Sequence, residues 1–270
     1  GGGRMMGPQR IVCLTEETVE TLYLLGAEDR IVGVTGYAVR PARVRREKPR
    51  VGAFTSADVA KILALEPDLV LTFSDLQADI AADLIRAGVA VHAFNQRSVA
   101  GIFEMIATLG ALVGRGPEAQ TLSDELRANI DRVRRAAQGR VRPRVYFEEW
   151  DEPPIAGIAW ASELIEIAAG VDVFADRAAS HGAKGRILDG AQVIAARPDL
   201  IIASWCGKKV RPEKIAARPG WADIPAVARG RIVEVKSPLV LAPGPAALSD
   251  GLAAIAAAIR ETADAMEAVA

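Results

Sequence analysis

One segment of this chain occurs twice. Ile62-Leu63-Ala64-Leu65-Glu66-Pro67-Asp68-Leu69-Val70-Leu71 returns as Val193-Ile194-Ala195-Ala196-Arg197-Pro198-Asp199-Leu200-Ile201-Ile202, from position 62 to position 193. Each copy reads as the end of a helix, a Pro-Asp turn and a buried strand rich in branched residues. A chemically varied loop follows each strand: Thr72-Phe73-Ser74-Asp75 in the first copy, Ala203-Ser204-Trp205-Cys206-Gly207-Lys208 in the second. Repetition of a supersecondary unit predicts two similar lobes rather than one large domain. Facing strand ends of two α/β lobes make a cleft that suits a small molecule.

The rest of the pattern supports this division. Strands Ile11–Leu14, Ile31–Val34, Leu69–Thr72 and 90–93 alternate with helices near 17–25, 56–65 and 78–86, the second of these capped by Thr55 or Ser56 with Asp58 in its first turn. Such alternation implies a mostly parallel sheet with helices on both faces. Residues 117–138 carry the longest helical pattern, with Leu122, Leu126, Ile130 and Val133 on one side and a stop at Gly139. It predicts a single stiff helix between two Rossmann-like lobes, permitting only small relative motions. The expected organisation is a first lobe over residues 10–113, a linking helix over 114–140 and a second lobe over 141–268. Strands 144–147, 200–203 and 231–235 and helices 161–168 and 245–268 fill the second lobe, the last helix being amphipathic through Asp250, Arg260, Glu261, Asp264 and Glu267.

With 33 Lys and Arg against 34 Asp and Glu, the net charge of −1 gives no electrostatic reason to bind nucleic acid or anionic lipid. Cys13 and Cys206 fall in different lobes and read as unlinked thiols. Gly1-Gly2-Gly3-Arg4 reads as an appended segment and Met5-Met6 as a retained start. So few residues precede the first strand that a signal peptide has no room, and a cytoplasmic location is expected for the chain as it stands, periplasmic if a leader has been trimmed. A monomer is expected.

Chemistry in such a fold sits just past the strand C-termini. Thr15-Glu16-Glu17, Gly36-Tyr37, Phe54 and Phe73-Ser74-Asp75 occupy those places in the first lobe. Glu148-Glu149-Trp150, Trp205-Cys206-Gly207-Lys208-Lys209 and Ser237-Pro238-Leu239 occupy them in the second. Tyr37, Phe54, Phe73, Trp150 and Trp205 are five of a scarce set of aromatics (Trp 4, Tyr 3, Phe 6). Each taken alone reads first as a cap on its own core, and together they suit a broad, flat, apolar ligand. The acidic run Glu148-Glu149-Trp150-Asp151-Glu152 has three readings: contact with ligand amides or ammonium groups, a divalent metal site, or a solvated loop. His181 is a candidate axial ligand for a bound metal macrocycle, or an ordinary surface histidine, and His92 reads as structural. No nucleophile elbow, Walker A sequence, dinucleotide fingerprint or Cys-x-x-Cys is present, so the expectation is a binding protein with no intrinsic cofactor and no protein-held metal.

The paired Glu-Pro-Asp-Leu-Val-Leu and Arg-Pro-Asp-Leu-Ile-Ile units, Gly-Val-Thr-Gly-Tyr at 33–37, Phe147-Glu148-Glu149-Trp150-Asp151, Trp160-Ala161-Ser162-Glu163-Leu164-Ile165 and Ser204-Trp205-Cys206-Gly207-Lys208-Lys209 resemble the cobalamin-binding members of the class III periplasmic substrate-binding proteins of ABC importers. The resemblance runs from about Arg10 to Arg260. It implies a ligand sandwiched between two lobes with little closure, Tyr37, Phe54 and Phe73 touching it from the first lobe and Trp205 and Leu239 from the second. It also implies an importer permease as partner, docked through one exposed carboxylate per lobe, with Asp79 and Asp223 roughly at those places. Thr15-Glu16 departs from the Ser-Pro usual after the first strand.

Cobalamin or another corrinoid is therefore the expected ligand, taken up or handled inside the cell. Aromatic stacking, peripheral contacts from Glu16, Asp75, Glu148, Glu149 and Lys208, and reach to the metal by His181 or Cys206 would hold it. A ferric siderophore or haem is the alternative within binding, with Arg40, Arg43, Lys208, Lys209 and Arg211 as anion partners. A chelatase-like enzyme acting on a tetrapyrrole is the alternative from another class.

Overall fold

The computed structural model describes residues 7–270. The chain forms two compact units: one runs to Gln96 and resumes over Ala100–Glu125, the other comprises Arg97–Val99 and Leu126–Ala270. In the first unit β1 (Ile11–Cys13), β2 (Ile31–Val34), β3 (Leu69–Phe73) and β4 (Val91–Phe94) form one sheet in the order β2-β1-β3-β4, every pair parallel. Helices α1 (Glu16–Leu24), α2 (Val59–Ala64) and α3 (Ala78–Arg86) follow β1, β2 and β3 in the chain. An aliphatic core of Val12, Leu14, Val51, Ile62, Val70 and Leu84 lies against this sheet. The cap of α2 is Asp58, whose carboxylate accepts the Lys61 amide at 3.1 Å, and not Thr55 or Ser56. A carboxylate there satisfies an orphan N–H and meets the positive end of the helix dipole.

Helix α4 (Val99–Leu112) has no one-sided apolar stripe, because apolar residues fall on nearly all its sides, and so carries no helical period in the sequence. The long pattern beyond it is one helix, α5 (Gly116–Ala137), and the division into units falls within it. Gly139 follows at a φ of +72°.

In the second unit β5 (Arg144–Asp151) pairs along one edge with β8 (Leu200–Ala203), which pairs with β9 (Ile232–Glu234), all parallel. The other edge of β5 carries the two-residue β7 (Val171–Asp172) in parallel, then β6 (Pro154–Ala156) in antiparallel. Helices α6 (Ala159–Ile167) and α7 (Gly190–Ala196) follow β6 and the loop after β7, and α8 (Leu252–Ala268) closes the chain. The expected helix from 245 is divided: a π turn at Ala247–Gly251 precedes α8. The acidic run Glu148–Asp151 was expected beyond a strand end and is instead the second half of β5. The sequence signal for β6, a hairpin partner, was hidden by Pro153-Pro154.

The duplicated segment has a shared physical basis. Asp68 accepts the Gln9 and Arg10 amides at 2.7 and 2.9 Å, and Asp199 accepts the Arg144 amide at 2.8 Å. The Arg10 guanidinium donates to the Leu65 carbonyl at 2.6 Å and that of Arg144 to the Ala196 carbonyl at 2.8 Å. Glu66 and Arg197, just before each proline, take left-handed φ values of +51° and +47°. Each Pro-Asp turn thus ties the end of a helix to the start of the unit's first strand.

Candidate functional site

In the first unit the strand ends are gathered by a residue that pattern reading passed over. Gln77 is fully buried. Its amide donates to the Leu14 carbonyl at 3.0 Å and the Phe54 carbonyl at 2.8 Å, and its carbonyl accepts the Phe73 amide at 2.9 Å. Three strand-end segments therefore meet on one side chain, and Phe54 and Phe73 are brought together by it. Ser74 reaches this turn through a φ of +62°, its hydroxyl accepting the Leu76 amide. Asp75 is exposed on the same turn. The Gly36 amide donates to the Gly52 carbonyl at 2.8 Å, which sets the Tyr37 turn beside the loop leading to Phe54. Phe73 is 7% exposed and belongs to the core, whereas Tyr37 is 52% exposed and offers its ring to solvent.

Glu16 opens α1. Burial, and then the neighbouring Glu17 and Glu20 carboxyls, push its pKa up to about 8. Burial pushes Glu17 to about 7, and its Oε1 atom has no hydrogen-bond partner. A desolvated carboxylate is costly, so Glu16 favours the protonated form near neutrality and Glu17 is divided between the two forms there. A protonated Glu16 is a hydrogen-bond donor. Glu20 instead pairs with the Arg40 guanidinium.

The second unit carries the denser constellation. Glu148 has no exposed surface. Its carboxylate accepts the Tyr146 hydroxyl at 2.8 Å, the Trp205 indole N–H at 2.9 Å and the Arg218 guanidinium through both terminal nitrogens. The candidate contact at Glu148 is therefore corrected: all its partners are internal, and it holds Trp205 rather than reaching outward. Trp205, 3% exposed, belongs to an aromatic core in which Tyr146 meets Phe174 and Trp221 edge-on at 5.6 and 6.2 Å. Glu149 is likewise turned inward, accepting Arg186 at 2.9 Å and the Ile158 amide at 3.2 Å. Burial raises its pKa against the pull of Arg186.

Trp150 and Asp151 remain at the surface of this strand end. A register shift between Glu148 and Trp150 in the β5–β6 pairing redirects the side chains there. The Lys208 ammonium stands 2.6 Å from Asp151 Oδ1, 4.1 Å from the Trp150 ring centroid and 5.3 Å from that of Trp205. Burial works to raise the Asp151 pKa, but Lys208 and Arg218 hold it below the usual carboxylate range. Cys206 is exposed on the same turn, and Gly207 donates its amide to Ser237 Oγ at 3.5 Å. Leu239 is half-buried in the short helix Ser237–Val240. His181 is exposed, on a loop that Arg186 ties down by donating to the Ser180 carbonyl at 3.1 Å. Asp79 and Asp223 are both exposed.

The structure thus assembles Trp150, Asp151, Trp205 and Lys208 into one group, while Gln77 ties the Phe54 and Phe73 backbones together with Asp75 on the adjoining turn and the Tyr37 turn beside the loop to Phe54. Gln77, Arg186 and Arg218, which organise them, escaped sequence reading: each is a single polar residue in a turn, with no spacing to mark it. Among the described residues no group of three or more His, Cys, Asp and Glu side chains could hold a metal ion, and no helix is long and apolar enough to cross a membrane.

The substrate-binding lipoprotein YvrC of Bacillus subtilis, an ABC transporter protein, is 26% identical over 248 residues, covering 88% of this chain and 76% of its own length. A cobalamin-binding protein of Halobacterium salinarum is 29% identical over 173 residues, 63% of this chain, and the match spans about half (47%) of that relative. The periplasmic haem-binding protein RhuT of Roseiflexus sp. RS-1 has the same fold, with a TM-score of 0.80 at 24% identity, over 94% of this chain and 100% of that one. The family model described as periplasmic binding protein matches residues 11–239, most of the chain, and the chain belongs to that family of substrate-binding proteins.

Proposed function

We propose that this chain binds a corrinoid such as cobalamin without transforming it, as the binding component of uptake through an ABC importer or for handling inside the cell. The observation that carries the reading is how the strand-end charges are spent. Of the five basic residues placed to meet an anionic ligand, Arg40 pairs with Glu20, Arg43 with Glu28 and Glu47, and Lys208 with Asp151, which leaves Lys209 and Arg211 exposed on a single loop. Arg186 and Arg218 are committed to Glu149 and Glu148. A ferric siderophore with several negative charges needs convergent cations that are not already neutralised. A corrinoid carries mostly neutral amides around an apolar ring. In the first unit it matches the exposed ring of Tyr37 and a Glu16 carboxyl, its pKa raised to about 8, that donates to a carbonyl; in the second it matches the half-buried ring of Trp150.

Optical titration with hydroxocobalamin, followed by gel filtration, tests this directly. Co-elution with a changed corrin spectrum is the expected result, with Trp150→Ala weakening binding at least tenfold. Failure to co-elute at tens of micromolar overturns it.

Tyr37 favours a second reading. A phenol 52% exposed at a strand end is a competent axial ligand for ferric haem. Haem binding that produces a tyrosinate-type spectrum, lost in Tyr37→Phe, would replace the corrinoid with haem.

A further inference from the structure

Lys208 occupies a place built for a cation. Its ammonium lies against two indole faces and one carboxylate, the combination that recognises ammonium groups on small molecules. Both rings and the Asp151 backbone are held by contacts other than Lys208, and the Asp151 carboxylate is what the ammonium pairs with. The Trp205 ring is fixed by its N–H donating to Glu148 Oε2 at 2.9 Å. The Trp150 ring is fixed by its N–H donating to the Glu152 carbonyl at 3.2 Å, and the Asp151 backbone by its carbonyl accepting Arg218 at 3.3 Å. Behind them Arg218 neutralises Glu148, so Asp151 presents the negative charge at the ammonium.

Lys208 itself is loosely seated by comparison. Its side chain is 41% exposed and arises from a surface turn in which Gly207 has a φ of +73°. A flexible four-carbon stem places a strongly hydrated ammonium that can return to water without disturbing the walls. The exposed side of the lysine means that the space it vacates opens to solvent.

We propose that Trp150, Trp205 and Asp151 form a recognition site for a monovalent organic ammonium group, primary or methylated, and that Lys208 holds this site until such a group displaces it. The site selects by charge and by face. One positive charge matches the single carboxylate, two indoles favour a weakly hydrated cation over sodium, and an anion is repelled by Asp151. The site shares Trp150 with the corrinoid reading, but its probe contains no macrocycle, so either can fail without the other.

The test uses the full chain and tetramethylammonium chloride, with sodium chloride at equal ionic strength as control, read by tryptophan fluorescence. Lys208→Ala is expected to bind tetramethylammonium at least tenfold more tightly than the wild type, since no tethered ammonium competes. Adding Trp150→Ala or Asp151→Asn to that variant is expected to remove the response. A folded Lys208→Ala protein that responds identically to both salts overturns the proposal. Should that variant fail to fold, the wild type decides: tetramethylammonium is expected to raise the acetylation rate of Lys208 severalfold, measured by mass spectrometry, and an unchanged rate overturns the proposal.

Discussion

Gln77 in the first unit and Glu148 in the second do comparable jobs with different chemistry. Both are fully buried at the C-terminal end of a sheet, and each collects groups from several segments. Gln77 is neutral, and its partners are backbone groups of Leu14, Phe54 and Phe73, so what it fixes is the path of three loops. Glu148 is charged and balanced by Arg218, and its partners are mainly side chains, Tyr146 and Trp205 among them. A neutral hub needs only hydrogen-bond satisfaction. A charged hub needs a counter-ion as well, and in return it orients the buried Trp205 indole, beside which Lys208 lies. The two units share a Pro-Asp tie and a first strand paired in parallel with the strand after that turn, and they differ where β5 runs on for eight residues to take the antiparallel β6 while β1 stops after three.

The sharpest way to break this comparison is Arg218→Ala. It leaves a carboxylate with no exposed surface and no counter-ion, a loss of about 3–5 kcal/mol where a buried pair is cut. Urea denaturation followed by tryptophan fluorescence reports on the second unit, because Trp150, Trp160, Trp205 and Trp221 all belong to it. Arg218→Leu combined with Glu148→Gln is expected to recover much of the loss. A loss below about 1 kcal/mol would mean that the charge of the hub is immaterial, contrary to the usual cost of an uncompensated buried charge.

Next in size is a pH effect confined to the first unit. Glu17 is raised from 4.5 to about 7 and Glu16 from 4.5 to about 8, by burial first in both cases. A carboxyl whose folded pKa is raised binds more protons in the native state, so stability falls as pH climbs from about 4.5 to 8 and is flat beyond. For Glu17, only 5% exposed, the fall is on the order of 3 kcal/mol at most. Glu17→Gln is expected to flatten the dependence and to exceed the wild type in thermal midpoint above pH 8. Equal slopes from pH 5 to pH 8.5 in variant and wild type would sink this reading.

Gln77→Leu is expected to cost about 1–3 kcal/mol, since an isostere without an amide leaves buried backbone groups without their partner. It should also weaken ligand binding by shifting the Phe54 and Phe73 segments that the amide holds. Stability lost with binding retained would show that the loop paths hold without the amide.

The frame was legible in the sequence and much of the site was not. Strand ranges at Ile31–Val34 and Leu200–Ala203 and the helix at Ala78–Arg86 agree with the structure because periodicity, turn residues and the duplicated Pro-Asp turn all act locally. Glu148 was misplaced for the opposite reason. An acidic pair next to Trp150 reads as solvated on any local scale, and its burial depends on Arg218, 70 residues away. Gln77 has the same difficulty: its partners Leu14 and Phe54 lie 63 and 23 residues off. Frames follow from short-range pattern, whereas hubs follow from long-range pairing.

The smallest test returns to the repeated frame itself. Helices α1 and α6 end in the same motif: the Ala27 amide donates to the Leu22 carbonyl and the Gly170 amide to the Ile165 carbonyl, each at 2.9 Å. The residue before that donor must be left-handed. It is Gly26 at φ +72° in the first unit and Ala169 at φ +64° in the second. A Cβ costs roughly 1–2 kcal/mol in that conformation, partly offset by the extra unfolded-state freedom of glycine. Ala169→Gly is therefore expected to stabilise the second unit by about 0.5–1 kcal/mol, and Gly26→Ala to destabilise the first by a similar amount. No atom lies within 4 Å of a Cβ built at Gly26, so that change isolates the backbone effect. Opposite signs in the two denaturation midpoints would establish the two turns as equivalent. The same sign in both would mean that packing around Ala169, and not its backbone, decides its identity.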